Sequence, residues 1–192
     1  MIAIVKYNAG NIQSVKNAVE RLGFSCVVTD DETILKSAGK VIFPGVGEAS
    51  SAMNYLSERK LDKVIKNLTQ PVLGICLGQQ LLCNFSEEGS TKCLGIFDVN
   101  VKKFEAKLKV PHMGWNNLRS RNSELFNKIG DDVDFYFVHS YYAEIAENTT
   151  SICDYSIPFS ASMQKDNFYA TQFHPEKSSK VGEQVLLNFL QL

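Results

Sequence analysis

A cysteine between two glycines has the clearest chemical pattern in the chain. Cys76 stands in Gly74-Ile-Cys-Leu-Gly78, between an apolar run and a helical apolar pattern. This is the thiol counterpart of the Gly-x-Ser-x-Gly turn, where a sharp passage from strand to helix lifts a nucleophile above a sheet. A helix N-terminus favours a thiolate, and the N–H of Leu77 can point at an oxyanion. The same pattern also fits a buried cysteine that packs between two glycines.

A histidine and a glutamate lie two residues apart near the end of the chain, in Phe173-His-Pro-Glu176. We expect His174 to end a strand and the triplet to stay extended, because Pro175 disfavours helical backbone in the residue before it. Side chains at i and i+2 of an extended segment then point to one side, so Glu176 can orient the ring of His174. The second ring nitrogen is left to take a proton from Cys76, as in a nucleophile, base and orienter triad. A zinc site is the weaker interpretation because a second pair of ligands at metal spacing is missing, and we expect no metal.

Two glycines also follow the third predicted strand, in Pro44-Gly-Val-Gly47. Ligands of open α/β sheets bind at the carboxyl ends of the strands. A backbone N–H of Val46 or Gly47 could therefore complete an oxyanion hole. Taken alone, this motif is more typical of a loop that enters a helix at Glu48. It is not a dinucleotide fingerprint, because Ser50 stands where the third glycine is needed.

Strands alternate with helices in the first half of the chain. The apolar spacing predicts a helix from Ile12 to Leu22 that ends at Gly23. Further helices carry Met53 and Leu56, then Leu61 to Leu68, and a helix is expected from Leu77 to Phe85. The predicted strands are Ile2–Val5, Ser25–Val28, Lys40–Phe43 and Pro71–Ile75. We therefore predict an α/β fold, flavodoxin-like, with a mostly parallel sheet covered by helices on both faces.

The second half of the chain is richer in β-type residues. The predicted strands are Ile96–Phe97, Asp134–Tyr142, Ser151–Tyr155, Phe159–Met163 and Tyr169–Phe173. We expect antiparallel additions to the same sheet, followed by a closing helix that carries Val181 to Leu190. The sequence shows no repeat and no linker, so residues 1–192 are expected to form a single domain.

Composition narrows the class of protein. The 192 residues hold 20 Lys+Arg and 21 Asp+Glu, which leaves a net charge of -1 and argues against a nucleic-acid binder. The five cysteines are an odd number, so a secreted disulfide framework is disfavoured and reduced thiols in the cytoplasm are expected. No apolar run approaches the roughly 20 residues of a membrane span, so no membrane partner is expected. Apart from Cys76, the cysteines are expected to be small buried apolar residues, and His139 is expected to be structural.

The three motifs, in this order, resemble the class I (triad-type) glutamine amidotransferases. Gly74-Ile-Cys-Leu-Gly-Gln-Gln80 is similar to the nucleophile segment of that family, and Phe173-His-Pro-Glu-Lys-Ser178 is similar to its base segment. Within the class, the chain resembles the glutaminase subunit of imidazole glycerol phosphate synthase, from histidine biosynthesis. Four further segments carry this resemblance: Tyr7–Asn11, Pro44–Ala49, Pro111–Asn116 and Phe137–Tyr141. The match spans almost the whole chain, and Pro111-His-Met-Gly-Trp-Asn116 is its most specific part.

The resemblance implies a glutaminase with a Cys-His-Glu triad and no cofactor. Cys76 attacks the side-chain amide of L-glutamine, passes through a thioester and releases ammonia; His174 is general base and acid, and Glu176 orients it. The other implied residues are the backbone of Leu77, Val46 and Gly47 for the oxyanion, and Gln80, Glu88, Ser140 and Tyr141 for glutamine.

The resemblance also implies a protein partner. This is a (βα)₈-barrel cyclase that forms a heterodimer, receives the ammonia and, with its ribonucleotide bound, activates the glutaminase through the Pro44–Gly47 loop. The interface is expected at His112, Met113, Trp115 and Asn116.

Two departures from the family pattern leave other functions open. The family often has Asp-Tyr-Gly where this chain has Lys6-Tyr-Asn8, and Met where it has Gln79. The alternatives are a glutaminase paralogue that feeds another synthase, a thiol hydrolase or peptidase on a similar elbow, and a non-enzymatic binding module with a structural cysteine.

Overall fold

The computed structural model of the protein describes residues 1–105 and 108–192. Its strands are β1 (Ile2–Val5), β2 (Cys26–Thr29), β3 (Lys40–Phe43), β4 (Val72–Ile75), β5 (Phe85–Ser86), β6 (Thr91–Lys92), β7 (Asn100–Lys103), β8 (His112–Asn117), β9 (Asp134–His139), β10 (Tyr141–Ala143), β11 (Thr149–Tyr155), β12 (Ile157–Lys165) and β13 (Phe168–Thr171). Its α-helices are α1 (Ile12–Arg21), α2 (Glu32–Ser37), α3 (Ala49–Glu58), α4 (Leu61–Lys66), α5 (Leu77–Leu82) and α6 (Ser179–Gln191), and short 3₁₀ helices cover Glu88–Ser90, Glu124–Phe126 and Pro175–Lys177.

A seven-stranded sheet with the order β11-β12-β13-β4-β3-β1-β2 forms the centre of the molecule. The strands from β13 to β2 pair in parallel, whereas β12 is antiparallel to both of its neighbours. The predicted α/β fold with a mostly parallel sheet and antiparallel additions is confirmed.

Both faces of this sheet are covered, because alternate residues of each strand point to opposite sides. In β1, Ala3 and Val5 belong to one apolar cluster, with Leu35. Ile4 belongs to the other cluster, with Phe189 of the last helix. This double burial explains why the parallel strands are continuous apolar runs.

Part of the predicted antiparallel extension lies elsewhere. The run Asp134–Tyr142 is divided at Ser140 into β9 and β10. β9 pairs only with β8 in a separate two-stranded sheet, and β10 joins β7, β5 and β6 in a four-stranded sheet. Strand propensity predicts an extended backbone but does not determine which neighbouring strand it pairs with. The prediction that Asp134–Tyr142 extends the main sheet was therefore wrong.

Two predicted elements also differ locally. Ile96–Phe97 is not a strand: both backbone N–H groups donate to the carbonyl of Leu82, at 2.8 and 3.0 Å, in a turn after α5. The helix expected to reach Phe85 stops at Leu82, because the backbone of Cys83 is extended and Phe85 enters β5.

The parallel strands β3, β4 and β13 end at one edge of the sheet, where the loops after Phe43, Ile75 and Thr171 meet. These loops carry the three sequence motifs. Within the part of the chain that is described, no helix has both the length and the apolar character needed to cross a membrane.

Candidate active site

Cys76 occupies a strained turn between β4 and α5. Its φ of 54° and ψ of −107° lie outside the regions that most residues adopt. A Cβ on Gly78 would stand 1.9 Å from the carbonyl oxygen of Phe43, and a Cβ on Gly74 would stand 3.0 Å from Gly78. The predicted need for both glycines is therefore confirmed, and it comes from close approach of the backbone.

The thiol of Cys76 is nearly buried, with 6% of the residue exposed. Its Sγ lies 3.8 Å from the carbonyl oxygen of Val138 and 3.6 Å from the Nε2 of Gln172. The small exposed part opens into a pocket, so a small molecule in that pocket can reach the sulfur.

His174 and Glu176 form a fully buried pair. The Nδ1 of His174 lies 2.8 Å from the Oε1 of Glu176, and both side chains are 0% exposed. The side-chain amide of Asn11 donates to the same oxygen of Glu176. The predicted hydrogen bond is present, and a residue far away in sequence supports it.

The backbone around this pair differs from the prediction. β13 ends at Thr171, before His174, and Pro175–Lys177 is a 3₁₀ turn. Proline suits the first position of a helical turn, and the hydroxyl of Ser178 donates to the carbonyl of His174 at 2.7 Å. The turn, not an extended triplet, brings Glu176 back to the ring.

The charge state of His174 depends on its two neighbours. Burial lowers the pKa of His174, but the charges and hydrogen bonds of Cys76 and Glu176 outweigh burial and raise the pKa to about 10. The ring therefore holds a proton more strongly than a free imidazole does when Cys76 and Glu176 are charged. Because Nδ1 is bonded to Glu176, the nitrogen left for Cys76 is Nε2, which is buried and has no hydrogen-bond partner among the described residues.

A cavity of about 250 Å³ opens beside Cys76. Its lining includes every residue predicted for the oxyanion and for glutamine: Val46, Gly47, Leu77, Gln80, Glu88, Ser140 and Tyr141. Pro111, Val138 and His139 complete the wall. The sequence predictions thus converge on one cavity, although His174 lies behind Cys76 and does not line it.

The predicted oxyanion donors are only partly available. The N–H of Leu77 donates to the carbonyl of Gly45 at 3.3 Å, so this donor is not free as expected. The carbonyl of Val46 accepts from the N–H of Gly10 at 3.0 Å, and Gly47 has a φ of +144° that favours glycine. An oxyanion hole that uses the N–H of Leu77 therefore requires the hydrogen bond to Gly45 to break.

Gln80 and Glu88 are held by the protein itself. The Nε2 of Gln80 donates to the carbonyl of Tyr141 at 2.9 Å and to the Oε1 of Gln172 at 3.0 Å. The Oε2 of Glu88 accepts from the N–H of Ala49 at 2.8 Å. Burial raises the pKa of Glu88, and the hydrogen bond from Ala49 opposes this rise. Gln80 and Glu88 can therefore offer a ligand oxygen acceptors but no N–H donor.

The residues predicted for a partner interface separate into two groups on β8. Met113 and Trp115 are 62% and 53% exposed, and Asn116 is half-buried. The ring of His112 is buried and stacks on Phe137 and Tyr155. His112 was predicted at the partner interface, but its side chain is buried on the side of β8 opposite Met113 and Trp115, because side chains alternate along a strand.

Comparison with known proteins agrees with this geometry. The family model "Glutamine amidotransferase class-I" matches residues 3–191. The chain belongs to the class-I glutamine amidotransferases.

Named relatives of this amidotransferase cover its full length. It is 57% identical over 194 residues to "Imidazole glycerol phosphate synthase subunit HisH" of Bacteroides fragilis (strain YCH46), covering 100% of this chain and 99% of that protein. It is 44% identical over 199 residues to the protein of that name from Vibrio cholerae, covering 100% and 98%. The crystal structure of a glutamine amidotransferase from Thermotoga maritima shares the fold, with a TM-score of 0.65, 15% identity and coverage of 99% and 82%.

Two residues of the amidotransferase site, the half-buried Asn11 and the buried Gln172, were not singled out from the sequence. Asn11 is within hydrogen-bond distance of both Glu176 and His174. Gln172 contacts Cys76 and Gln80. Asn11 closes the Tyr7–Asn11 segment and Gln172 directly precedes Phe173, so their places beside motifs were the only available signal. Among the described residues, no group of three or more His, Cys, Asp or Glu is arranged to hold a metal.

Proposed function

We propose that this amidotransferase is the glutaminase subunit of an imidazole glycerol phosphate synthase. It hydrolyses L-glutamine to L-glutamate and ammonia through residues 1–192 acting as one domain. One observation carries the proposal: a nucleophile lines a pocket, and a buried acid–base pair is present in the same site. Cys76 lines the cavity, and the Nδ1 of His174 lies 2.8 Å from the Oε1 of Glu176. The full-length identity to relatives of that name supports the choice of synthase.

Cys76 and His174 perform the chemistry. The sulfur of Cys76 attacks the side-chain amide carbon, and the C–N bond breaks as the imidazolium of His174 gives its Nε2 proton to the leaving nitrogen, which departs as ammonia. The thioester then reacts with water, whose proton returns to His174, and the C–S bond breaks to release glutamate. Glu176 keeps the ring oriented by accepting from Nδ1.

The pocket suits the amino-acid end of glutamine. Glu88 and the Oε1 of Gln80 are acceptors for an α-ammonium group, and Ser140 and Tyr141 line the same cavity. An internal peptide bond or a simple alkyl ester has no α-ammonium group close to the scissile carbonyl, so these acceptors favour glutamine over such substrates of a thiol hydrolase.

The proposed partner is a (βα)₈-barrel cyclase that receives the ammonia. Met113 and Trp115 project from β8 into solvent, and aromatic and methionine side chains are enriched in protein interfaces. All five cysteines are free thiols, which fits a cytoplasmic heterodimer.

The loop after β3 is the proposed switch. While the N–H of Leu77 is bonded to Gly45, the tetrahedral oxyanion lacks that donor. The chain alone should therefore be a weak glutaminase, and the nucleotide-bound cyclase should activate it. Equal turnover with and without the partner would contradict the switch.

The decisive test is glutamate release in the complex. With the cyclase and its nucleotide present, Cys76→Ala should abolish release. Cys83→Ala is the matched control, because Cys83 is a fully buried thiol outside the pocket and should leave turnover unchanged. Full turnover by Cys76→Ala would refute the proposed function.

A further inference from the structure

A chain of buried hydrogen bonds leads to the sulfur of Cys76, and its direction can be worked out. The carbonyl of Tyr141 can only accept, so the amide nitrogen of Gln80 must be the atom that faces it, at 2.9 Å. The same nitrogen lies 3.0 Å from one end of the Gln172 amide, which must therefore be the oxygen. The nitrogen of Gln172 is left 3.6 Å from the Sγ of Cys76, and it points a donor at the sulfur.

A pair of histidines fixes the direction of the hydrogen bonds at the other end of this series, at the carbonyl of Tyr141. Asn116 donates its amide N–H to the carbonyl of Asp154, so its nitrogen also faces the Nε2 of His112, at 3.4 Å. The Nδ1 of His112 then donates to the Nε2 of His139 at 3.0 Å, and the Nδ1 of His139 donates to the carbonyl of Tyr141 at 2.7 Å.

The rings of His112 and His139 are neutral, so each carries one N–H, and the hydrogen bonds above place that N–H on Nδ1 in both rings. Burial lowers the pKa of His112 to about 4 and that of His139 to about 3. The carbonyl of Tyr141 thus has two donors, and neither of the amides of Gln80 and Gln172 can be reversed without loss of a buried hydrogen bond.

We propose that Gln172 is a catalytic hydrogen-bond donor that stabilises the thiolate of Cys76. The role of that thiolate as nucleophile rests on the proposed function. Gln172 is 0% exposed, so its N–H has no water to bond instead. A charged acceptor strengthens a hydrogen bond, so this contact favours the thiolate over the thiol. Gln80 acts as the positioning residue that holds the amide of Gln172.

The test is the rate of Cys76 alkylation by iodoacetamide as a function of pH. The full-length chain is used without glutamine, and labelling of the Cys76 peptide is followed by mass spectrometry. Gln172→Met keeps the size of the side chain but removes the donor. Loss of one hydrogen bond to a charged group should move the midpoint of the profile upward by about one pH unit. Labelling below the midpoint then slows about tenfold, and rates at high pH converge.

The matched control is Gln79→Met. Gln79 is also 0% exposed and donates to the carbonyl of Ser160 at 2.9 Å, and it has no hydrogen bond to Cys76. Its substitution removes a buried amide from α5, the helix that begins directly after Cys76, and should leave the midpoint unchanged.

The other titratable groups around Cys76 remain in place. These are His174, whose charge interacts directly with Cys76, Tyr7, and the pocket residues His139 and Glu88. The midpoint therefore belongs to the Cys76–His174 pair, and the difference between variants reports the donor that was removed.

A second variant keeps the test possible if Gln172→Met does not fold. Gln172→Glu has the same shape but replaces the donor with a charged acceptor, so the upward shift should be larger than one pH unit. An unchanged midpoint in either folded variant would overturn the proposal. Glutamate release by the unmodified chain with the cyclase tests the proposed function separately. If the unmodified chain releases glutamate but the Gln172 variants leave the midpoint unchanged, only the role of Gln172 is refuted. If the variants raise the midpoint but the unmodified chain releases no glutamate, only the glutaminase function is refuted.

Discussion

Replacing Glu176 by glutamine removes one buried negative charge but keeps the shape of the side chain and one acceptor oxygen. In the structure, the Oε1 of Glu176 accepts from His174 at 2.8 Å and from Asn11, whereas its Oε2 has no hydrogen-bond partner in the part of the chain that is described. Glutamine can keep both contacts through its oxygen. The substitution therefore tests the charge of Glu176 separately from its hydrogen bonds.

Two estimates bound the loss of activity. A hydrogen bond to a charged group contributes about 1.5 kcal/mol more than a neutral one, which gives the lower estimate. The attraction between unit charges about 4 Å apart is about 4 kcal/mol at an effective dielectric constant near 20. Turnover should therefore fall by a factor between about 10 and about 1,000.

The assay is glutamate release by the complex with the cyclase and its nucleotide, with thermal unfolding as the control. Because glutamine keeps the shape of the side chain and both contacts of Oε1, and because the ring of His174 can give up its proton when the charge is removed, the melting temperature should fall only slightly. Turnover within twofold of the unmodified enzyme would show that the charge of Glu176 does not support His174. A large drop in melting temperature would show that the pair serves stability.

Three further predictions concern other parts of the molecule. Trp115→Ala should raise the dissociation constant of the complex with the cyclase at least tenfold in a titration. The melting temperature should change little, because Trp115 is 53% exposed. A large drop in melting temperature with unchanged binding would make Trp115 a core residue. Gly78→Ala should lower the free energy of unfolding by about 3 kcal/mol or more, since its Cβ meets the Phe43 carbonyl at 1.9 Å; Gly130→Ala, with open space around it, is the control. Burial lowers the folded-state pKa of His139 to about 3, so its contribution to stability is present above pH ~6.5 and is lost as pH falls towards that folded value. Urea unfolding at pH 7 and pH 5 should show a loss of about 2 kcal/mol from this residue, absent in His139→Asn.

Local patterns in the sequence predicted the parts of the site that local sterics control. Gly78 is needed because α5 passes close to β3, and Gly74 is needed because β4 passes close to α5; a backbone contact this close restricts the residue type at both positions. Apolar runs predicted the parallel strands, because strands covered on both faces have apolar residues at every position. His174 and Glu176 are two residues apart, so their contact at 2.8 Å could be predicted even though the backbone between them was expected in the wrong form.

Long-range pairings could not be predicted in this way. Nothing near Asn11 indicates that its amide contacts Glu176, 165 positions later. The separation of β9 from the main sheet depends on which strand offers a ladder, and propensity does not encode that choice.

The direction of the Gln172 amide is the clearest case. Its residue type permits a donor or an acceptor towards Cys76, and the choice is made by Gln80 and the carbonyl of Tyr141. The motifs place a nucleophile, a base and an orienter in the chain because these roles need particular residue types at short spacing. The surrounding hydrogen bonds come from the assembled fold, since an amide is oriented by whichever fixed donors and acceptors the other strands bring to it.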